Sequence, residues 1–153
     1  MILTPSEMML DLIQKTMDNA GFQFNLREED LLYGVPGAGG EGRNTSISVE
    51  IKNQPVKPRD LLVYYNRLDL ERLTVALAPE LHAQQLPATV HEALPILATY
   101  LRIRLGPQDV EDAPIPKNGD TAIITLVAKS GSLAVTGAVE IDVRPPGGNT
   151  WII

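Results

Sequence analysis

The chain has 153 residues, of which 44% are hydrophobic and only 5% aromatic, and it contains no cysteine. These values predict a folded protein with an aliphatic core and exclude a disordered chain, disulfide bonds and thiol chemistry. The net charge of −6 and the absence of a Lys/Arg cluster argue against nucleic acid as a partner. No apolar run approaches the roughly 20 residues that span a bilayer, so we expect no membrane contact and synthesis in the cytoplasm.

The first predicted element is a helix that begins after Thr4. Thr4 and Glu7 have the spacing of a capping box, and Pro5 suits the first helical position. Apolar residues recur at helical spacing as far as Met17, and Gly21 is suited to a left-handed conformation that ends the helix.

A pair of strands is predicted after this helix. Residues 22–26 alternate between apolar and polar, which favours an extended segment or a tight packed turn, and residues 34–42 are predicted to form a flexible glycine-rich loop. Residues 45–51 alternate strictly and predict a strand, and residues 61–65 predict its returning partner. Residues 74–85 are expected to form an irregular or extended bridge.

The second part of the chain follows the same order. A helix is predicted from Thr89 to Leu101, with Pro95 either kinking it or moving its start. A strand that is apolar on both faces is predicted over residues 121–129, and a final strand over residues 133–143 is interrupted at Gly137.

A short motif marks the resemblance between the two parts. Leu26-x-x-x-Asp30-Leu31 follows the first helix, and Leu105-x-x-x-Asp109-Val110 follows the second. Repeated units usually pack on one another, because neither buries its apolar face well alone.

We therefore predict an α+β fold of two similar halves, each a helix packed on an antiparallel β-hairpin, with an extended C-terminal arm. The predicted divisions are residues 1–73 for the first half, 74–88 for the bridge, 89–144 for the second half and 145–153 for the arm. The predicted core contains Leu12, Ile13, Phe22, Phe24, Ile47, Val49, Val63, Leu94, Leu97, Ile103, Ile123, Leu126, Val135 and Ile141.

The sequence offers little catalytic chemistry. The glycines of residues 37–42 match G-x-G-x-x-G but lead into a strand rather than a helix, which argues against a dinucleotide site. His82 and His91 have no zinc-ligand spacing, and the acidic clusters around Asp30 and Asp109 lack the order of a calcium loop. We interpret both aspartates as structural, capping a turn or pairing with backbone amides. No cofactor, metal site or enzymatic activity is predicted.

Two segments are candidate contact surfaces between proteins. The first contains Tyr64, Tyr65, Arg67 and Asp69, because tyrosine and arginine are enriched at interfaces, although a strand end with Arg67 paired to Asp69 explains it equally well. The second is the apolar end of the chain, which either folds back on its own sheet or adds a strand to a neighbour. The residues concerned in that arm are Trp151, Ile152 and Ile153.

The order of elements resembles a domain family found on virion structural proteins of large tailed phages. The Tyr65-Asn66-Arg67-x-Asp69-Leu70 string is the most specific part of this resemblance, which covers most of residues 4–144. The resemblance implies a non-enzymatic virion component, made in the host cytoplasm, that binds other virion proteins and copies of itself as a homo-oligomer. The tail, neck or baseplate is the favoured place.

Two alternatives remain open from the sequence. A capsid decoration protein would bind expanded heads rather than tails. A cellular adaptor or ligand-binding module would use the glycine-rich loop and residues 64–69 as a recognition surface.

Overall fold

The computed structural model describes residues 2–22, 25–53, 60–75, 80–82, 87–118 and 121–144. Helices and largely antiparallel sheets are both present in these segments, which confirms the α+β class. The helices are α1 (Pro5–Asn19), α2 (Leu70–Val75) and α3 (Val90–Leu101). The strands are β1 (Leu31–Tyr33), β2 (Gly37–Gly40), β3 (Arg43–Ile51), β4 (Asp60–Tyr65), β5 (Leu68–Asp69), β6 (Glu80–His82), β7 (Lys117–Asn118), β8 (Thr121–Val127), β9 (Val135–Thr136) and β10 (Ala138–Arg144).

The first sheet is built around β3. β4 pairs antiparallel along one side of β3, with Ile47 opposite Val63, while β1 and β2 share the other side. The prediction of a flexible loop over residues 34–42 was therefore wrong in part, because β2 lies within it. β3 is nine residues long and extends beyond β1. The backbone N–H and C=O groups of its N-terminal part pair instead with the glycine-rich strand β2.

The second sheet has the order β6-β10-β8-β7. β10 runs antiparallel to β8, with Ile141 opposite Ile124, and parallel to β6. The predicted interruption of the final strand at Gly137 is confirmed, since this residue has φ +80 and separates β9 from β10. The predicted bridge between the halves includes regular structure, namely the end of α2 and the strand β6.

Two groups of buried side chains form the interior. The first core lies between α1 and the first sheet, and the second core lies between α3 and the second sheet. The first core includes Met9, Ile13, Met17, Leu26, Leu31, Ile47, Val49, Ile51 and Tyr65. The second core includes Leu70, Val90, Ala93, Leu94, Leu97, Leu101, Ile103, Leu105, Val110, Ile124, Leu126, Val135, Ile141 and Val143.

Three residues predicted as core are exposed instead, and one lies outside the described residues. Leu12, Phe22 and Ile123 have exposed side chains, whereas Phe24 is not described. β8 buries alternate residues although it carries apolar residues on both faces, so Ile124 takes the inward position and Ile123 faces outward. On α1 the inward row is Met9, Ile13 and Met17, which leaves Leu12 on the adjacent face.

Both long helices begin with a threonine as the N-cap, of which only the cap at Thr4 was predicted. Thr4 Oγ1 accepts a hydrogen bond from the Glu7 backbone N–H at 3.3 Å, and Glu7 Oε1 accepts one from the Thr4 N–H at 3.1 Å. At α3, Thr89 Oγ1 accepts from the Glu92 N–H at 3.4 Å. These contacts satisfy backbone donors that have no partner within the helix.

The capping box makes stability depend on pH in the acid range. The hydrogen bond from the Thr4 N–H holds the pKa of Glu7 below its usual value of 4.5. A carboxylate with a lowered pKa stabilises the folded state above its usual pKa, and this contribution is lost as the pH falls through the folded value. Glu7→Gln should therefore be less stable than the wild type at neutral pH, and the difference should disappear well below pH 4.5. Urea unfolding across this range measures it, with the exposed Asp11→Asn as the control for net charge.

Candidate interaction surface

An apolar groove runs between α1 and β4, and we call it the α1–β4 groove. Its helix side is formed by Met8, Leu12 and Thr16, and its strand side by residues 61–64. It comprises two adjoining cavities of about 280 Å³ and about 400 Å³, both of which contact Leu12 and Tyr64. The groove is thus a continuous surface whose lining is mainly apolar, with Arg43 and Asn66 as polar members of the larger cavity.

The helix side arises from a second apolar row on α1. Met9, Ile13 and Met17 face the first core, while Met8 and Leu12 lie one position earlier and stay exposed. Residues four apart lie on the same face of a helix, so Met8 and Leu12 form a short exposed stripe beside the buried one.

The strand side arises from the outward face of β4. Leu62 is 59% exposed and Tyr64 is 38% exposed, although β4 lies directly beside the central strand β3. Exposed apolar side chains that adjoin one another mark interaction sites more reliably than isolated ones.

Beyond the groove, the chain crosses from the first core to the second at residues 65–70, which we call the junction. The Tyr65 hydroxyl donates a hydrogen bond to the Leu133 carbonyl at 2.8 Å, and burial raises the pKa of this tyrosine. The Leu68 N–H donates to the Ala134 carbonyl at 2.7 Å, and β5 pairs with β9. β5 and β9 form a separate two-stranded parallel sheet, so main-chain pairing joins the junction to the segment that precedes β10.

Arg67 provides side-chain contacts across the junction. Its Nη1 donates to the carbonyls of Ser130 at 3.2 Å and Ser132 at 3.1 Å, and its Nε donates to Thr45 Oγ1 at 3.1 Å. Asn44 fixes the adjacent corner, since its Oδ1 accepts from the Arg67 N–H at 2.8 Å and its Nδ2 donates to the Arg67 carbonyl at 2.9 Å. The guanidinium is thereby held between the beginning of β3 and the turn before β9.

Asp69 lies at the end of the junction that leads into the second core. Its Oδ1 accepts from the Glu71 N–H at 3.1 Å, at the start of α2. A Cβ atom at Gly137 would lie 2.8 Å from this oxygen, and the φ of +80 also favours glycine at that position.

The two buried aspartates stabilise backbone turns, as the structural interpretation predicted. Asp30 Oδ2 accepts from the Arg27 N–H at 3.0 Å, and Asp109 Oδ2 accepts from the Gly106 N–H at 2.9 Å. Asp109 Oδ1 also accepts from Ser132 Oγ at 2.8 Å.

Among the described residues, His91 and its neighbour Asp112 come nearest to forming an acid–base pair. His91 Nε2 lies 2.8 Å from the Val110 carbonyl, and its Nδ1 lies 3.8 Å from Asp112 Oδ2. The hydrogen bond from the His91 backbone N–H lowers the pKa of Asp112, so this carboxylate is engaged at the start of α3. Within the described segments there is no group of three or more metal-ligating side chains.

The structure separates the residues that the sequence proposed as one contact surface. Tyr64 and Tyr65 both line the α1–β4 groove, and the Tyr65 hydroxyl also bonds across the junction, where Arg67 and Asp69 make their contacts within the chain. Their use between chains stays a prediction. The arm residues Trp151, Ile152 and Ile153 lie outside the described residues.

Sequence reasoning missed most of the groove. Leu62 and Tyr64 are two apart in a strand, and Met8 and Leu12 are four apart in a helix, so each pair lies on one face. These spacings were the available signal, but only the fold brings the two pairs together. No helix in the described segments has the length and apolarity required to cross a membrane.

Residues 1–147 match the model of a family of unknown function, DUF7941, and the chain therefore belongs to this family. The match spans α1, both cores and the junction. No curated protein and no solved structure shows significant similarity to the chain.

Proposed function

We propose that this member of the DUF7941 family is a non-enzymatic assembly protein of a tailed-phage virion, located in the tail, neck or baseplate. The observation that carries the assembly role is the α1–β4 groove, where Met8, Leu12, Leu62 and Tyr64 expose adjoining apolar surface. Such surface is costly in water and is retained where another protein covers it.

The use of the polar side chains also supports a structural role. Asp30, Asp109 and Arg67 are all committed to backbone groups, where they fix turns and the junction. A catalytic site instead needs titratable groups that converge on a cavity and remain available to a substrate.

The virion setting rests on the sequence resemblance, whose most specific string is the junction. The junction contacts support it because they give this string a structural use: Tyr65 and Arg67 donate to the carbonyls of Leu133 and Ser130, and Asn66 Oδ1 accepts from the Asn44 N–H. A rigid connection between two cores suits a building unit that must present its surface in a fixed orientation.

We further propose that the chain arose from two similar halves. Equivalent backbone contacts support this: the Lys52 N–H donates to the Asp30 carbonyl, and the Lys129 N–H donates to the Asp109 carbonyl at 2.8 Å. The residues after the aspartates also pair alike, Leu31 with Ile51 and Val110 with Ala128. In each half a capped helix precedes this turn.

Purified particles test the proposal. Particles released by cells that express the chain are separated on a density gradient, and the chain is expected to co-sediment with them at a constant ratio. Leu12→Asp in the groove should reduce its incorporation at least tenfold. Leu32→Asp, an equally drastic change at the exposed β1 edge of the same sheet, should leave incorporation nearly unchanged.

The location of the chain separates the alternatives. Recovery with expanded heads but not with isolated tails would favour a capsid decoration protein. A chain that never enters particles and instead binds a soluble partner as a monomer would contradict the virion proposal and favour an adaptor.

A further inference from the structure

The α1–β4 groove follows the edge of a sheet rather than its face. Side chains of successive strand residues point to opposite faces, yet the four consecutive residues 61–64 all line the groove. Only the edge of the strand borders both faces. Among the described residues, β3 is the sole strand paired with β4, so the backbone groups on the outer edge of β4 border this groove.

This edge lacks the devices that usually protect one. β4 has six residues, and residues 61–65 contain neither charge nor proline. The other outer strands of the two main sheets, as described, are shorter: β1 and β6 have three residues, β2 has four and β7 has two. A long apolar edge is a template for pairing with another chain.

We propose that β4 pairs antiparallel with β4 of a second copy of this chain, which makes one continuous sheet across a twofold axis at Val63. This inference rests on the proposed assembly function, because it names the partner of the same groove. A twofold axis perpendicular to a sheet places each residue opposite one on the same face. Val63 then faces its own copy, and Leu62 faces Tyr64 of the second copy.

Side-chain complementarity selects this register. Leu62 and Tyr64 are the exposed apolar residues of β4, and the twofold brings them together twice as aliphatic–aromatic pairs, which stabilise neighbouring strands. With the axis at Leu62 instead, Tyr64 would face the Asp60 carboxylate, which is a poorer match.

The exposed row of α1 fits the same arrangement. α1 borders the groove on one side of the sheet, and the twofold places the second copy's α1 on that same side. Met8 and Leu12 then face the equivalent residues across the axis. The strand edge and the exposed helix row are covered by one partner.

Solution mass tests the inference directly. The purified full-length chain should move from monomer to dimer with increasing concentration in sedimentation equilibrium. Leu62→Lys should raise the dimer dissociation constant at least tenfold, because a charged edge residue opposes strand pairing. Leu32→Lys places the same charge on β1 at the opposite edge of this sheet and should leave the constant unchanged.

Single cysteines test the register, since the chain has none of its own. Val63→Cys should form an intermolecular disulfide under mild oxidation, because its two copies lie directly opposite. Leu61→Cys lies on the same face, but its two copies are four positions apart in this register and should not cross-link.

A chain that stays monomeric at all concentrations would overturn the inference. So would a dimer that Leu32→Lys disrupts and Leu62→Lys does not, or cross-linking at residue 61 rather than 63. None of these three results contradicts the proposed function if the chain still enters particles in the gradient experiment, since a different virion protein would then occupy the groove.

Discussion

Asp109→Ala is expected to lower the free energy of unfolding by about 3 kcal/mol, because it leaves buried donors without acceptors. Asp109 is 1% exposed and its carboxylate accepts from both the Gly106 N–H and Ser132 Oγ. Ser132 Oγ in turn lies 3.3 Å from the N–H groups of Ala134 and Val135. The loss of one carboxylate therefore affects the turn after α3 and the turn before β9 together.

Urea unfolding of the purified variants measures this effect. Asp109→Asn should lie between the wild type and the alanine variant, because one amide oxygen replaces two carboxylate oxygens as acceptor. Glu111→Ala removes an exposed carboxylate two residues away and should change stability by no more than about 0.5 kcal/mol. An alanine variant at position 109 as stable as the Glu111 control would refute the structural role.

Arg67→Ala is expected to cost about 2 kcal/mol, since it removes hydrogen bonds from a charged donor to two backbone carbonyls and to Thr45. Arg67→Lys should not restore this stability. A lysine ammonium lacks the planar fork that reaches the carbonyls of Ser130 and Ser132 together with a third acceptor.

Hydrogen exchange locates the loss at position 67. The Leu68 amide donates across the junction to Ala134, so its exchange should accelerate more than that of amides at the centre of β3 or β8. Arg72→Ala, a change at an exposed arginine of α2, serves as the control. If Leu68 exchange is unchanged in Arg67→Ala, the arginine does not hold the junction.

The elements with strong local signals were predictable from the sequence. The capping box at Thr4, the strict alternation in β3 and the interruption at Gly137 each depend on near neighbours in the chain. The same is true of Asp30 and Asp109, whose contacts reach an amide only three residues away.

Features that depend on long-range packing were not predictable. α1 has two apolar rows, and only the position of the first sheet decides that Ile13 is buried and Leu12 exposed. β8 is apolar on both faces, so its pattern cannot tell Ile123 from Ile124. β2 is formed by glycine-rich residues with low strand propensity and exists because β3 extends beside it.

The candidate site was predicted in part for the same reason. Tyr64 was identified because tyrosine and arginine are clustered in residues 64–69. The groove that it lines, however, combines this strand with a helix about fifty residues earlier in the chain. Arg67 was identified with it and acts across the junction, where its acceptors at Ser130 and Ser132 belong to a distant turn. No local pattern could place those carbonyls.

Each core is completed by a side chain that comes from the other side of the junction in the sequence. Leu70 follows the last strand of the first sheet but is fully buried in the second core, and Leu133 of the second part packs against the first core. A gene cut between these parts would thus encode two products that each lack a piece of their own interior. If one part is exchanged for that of a relative, residues 70 and 133 must therefore both fit the cores that they then enter.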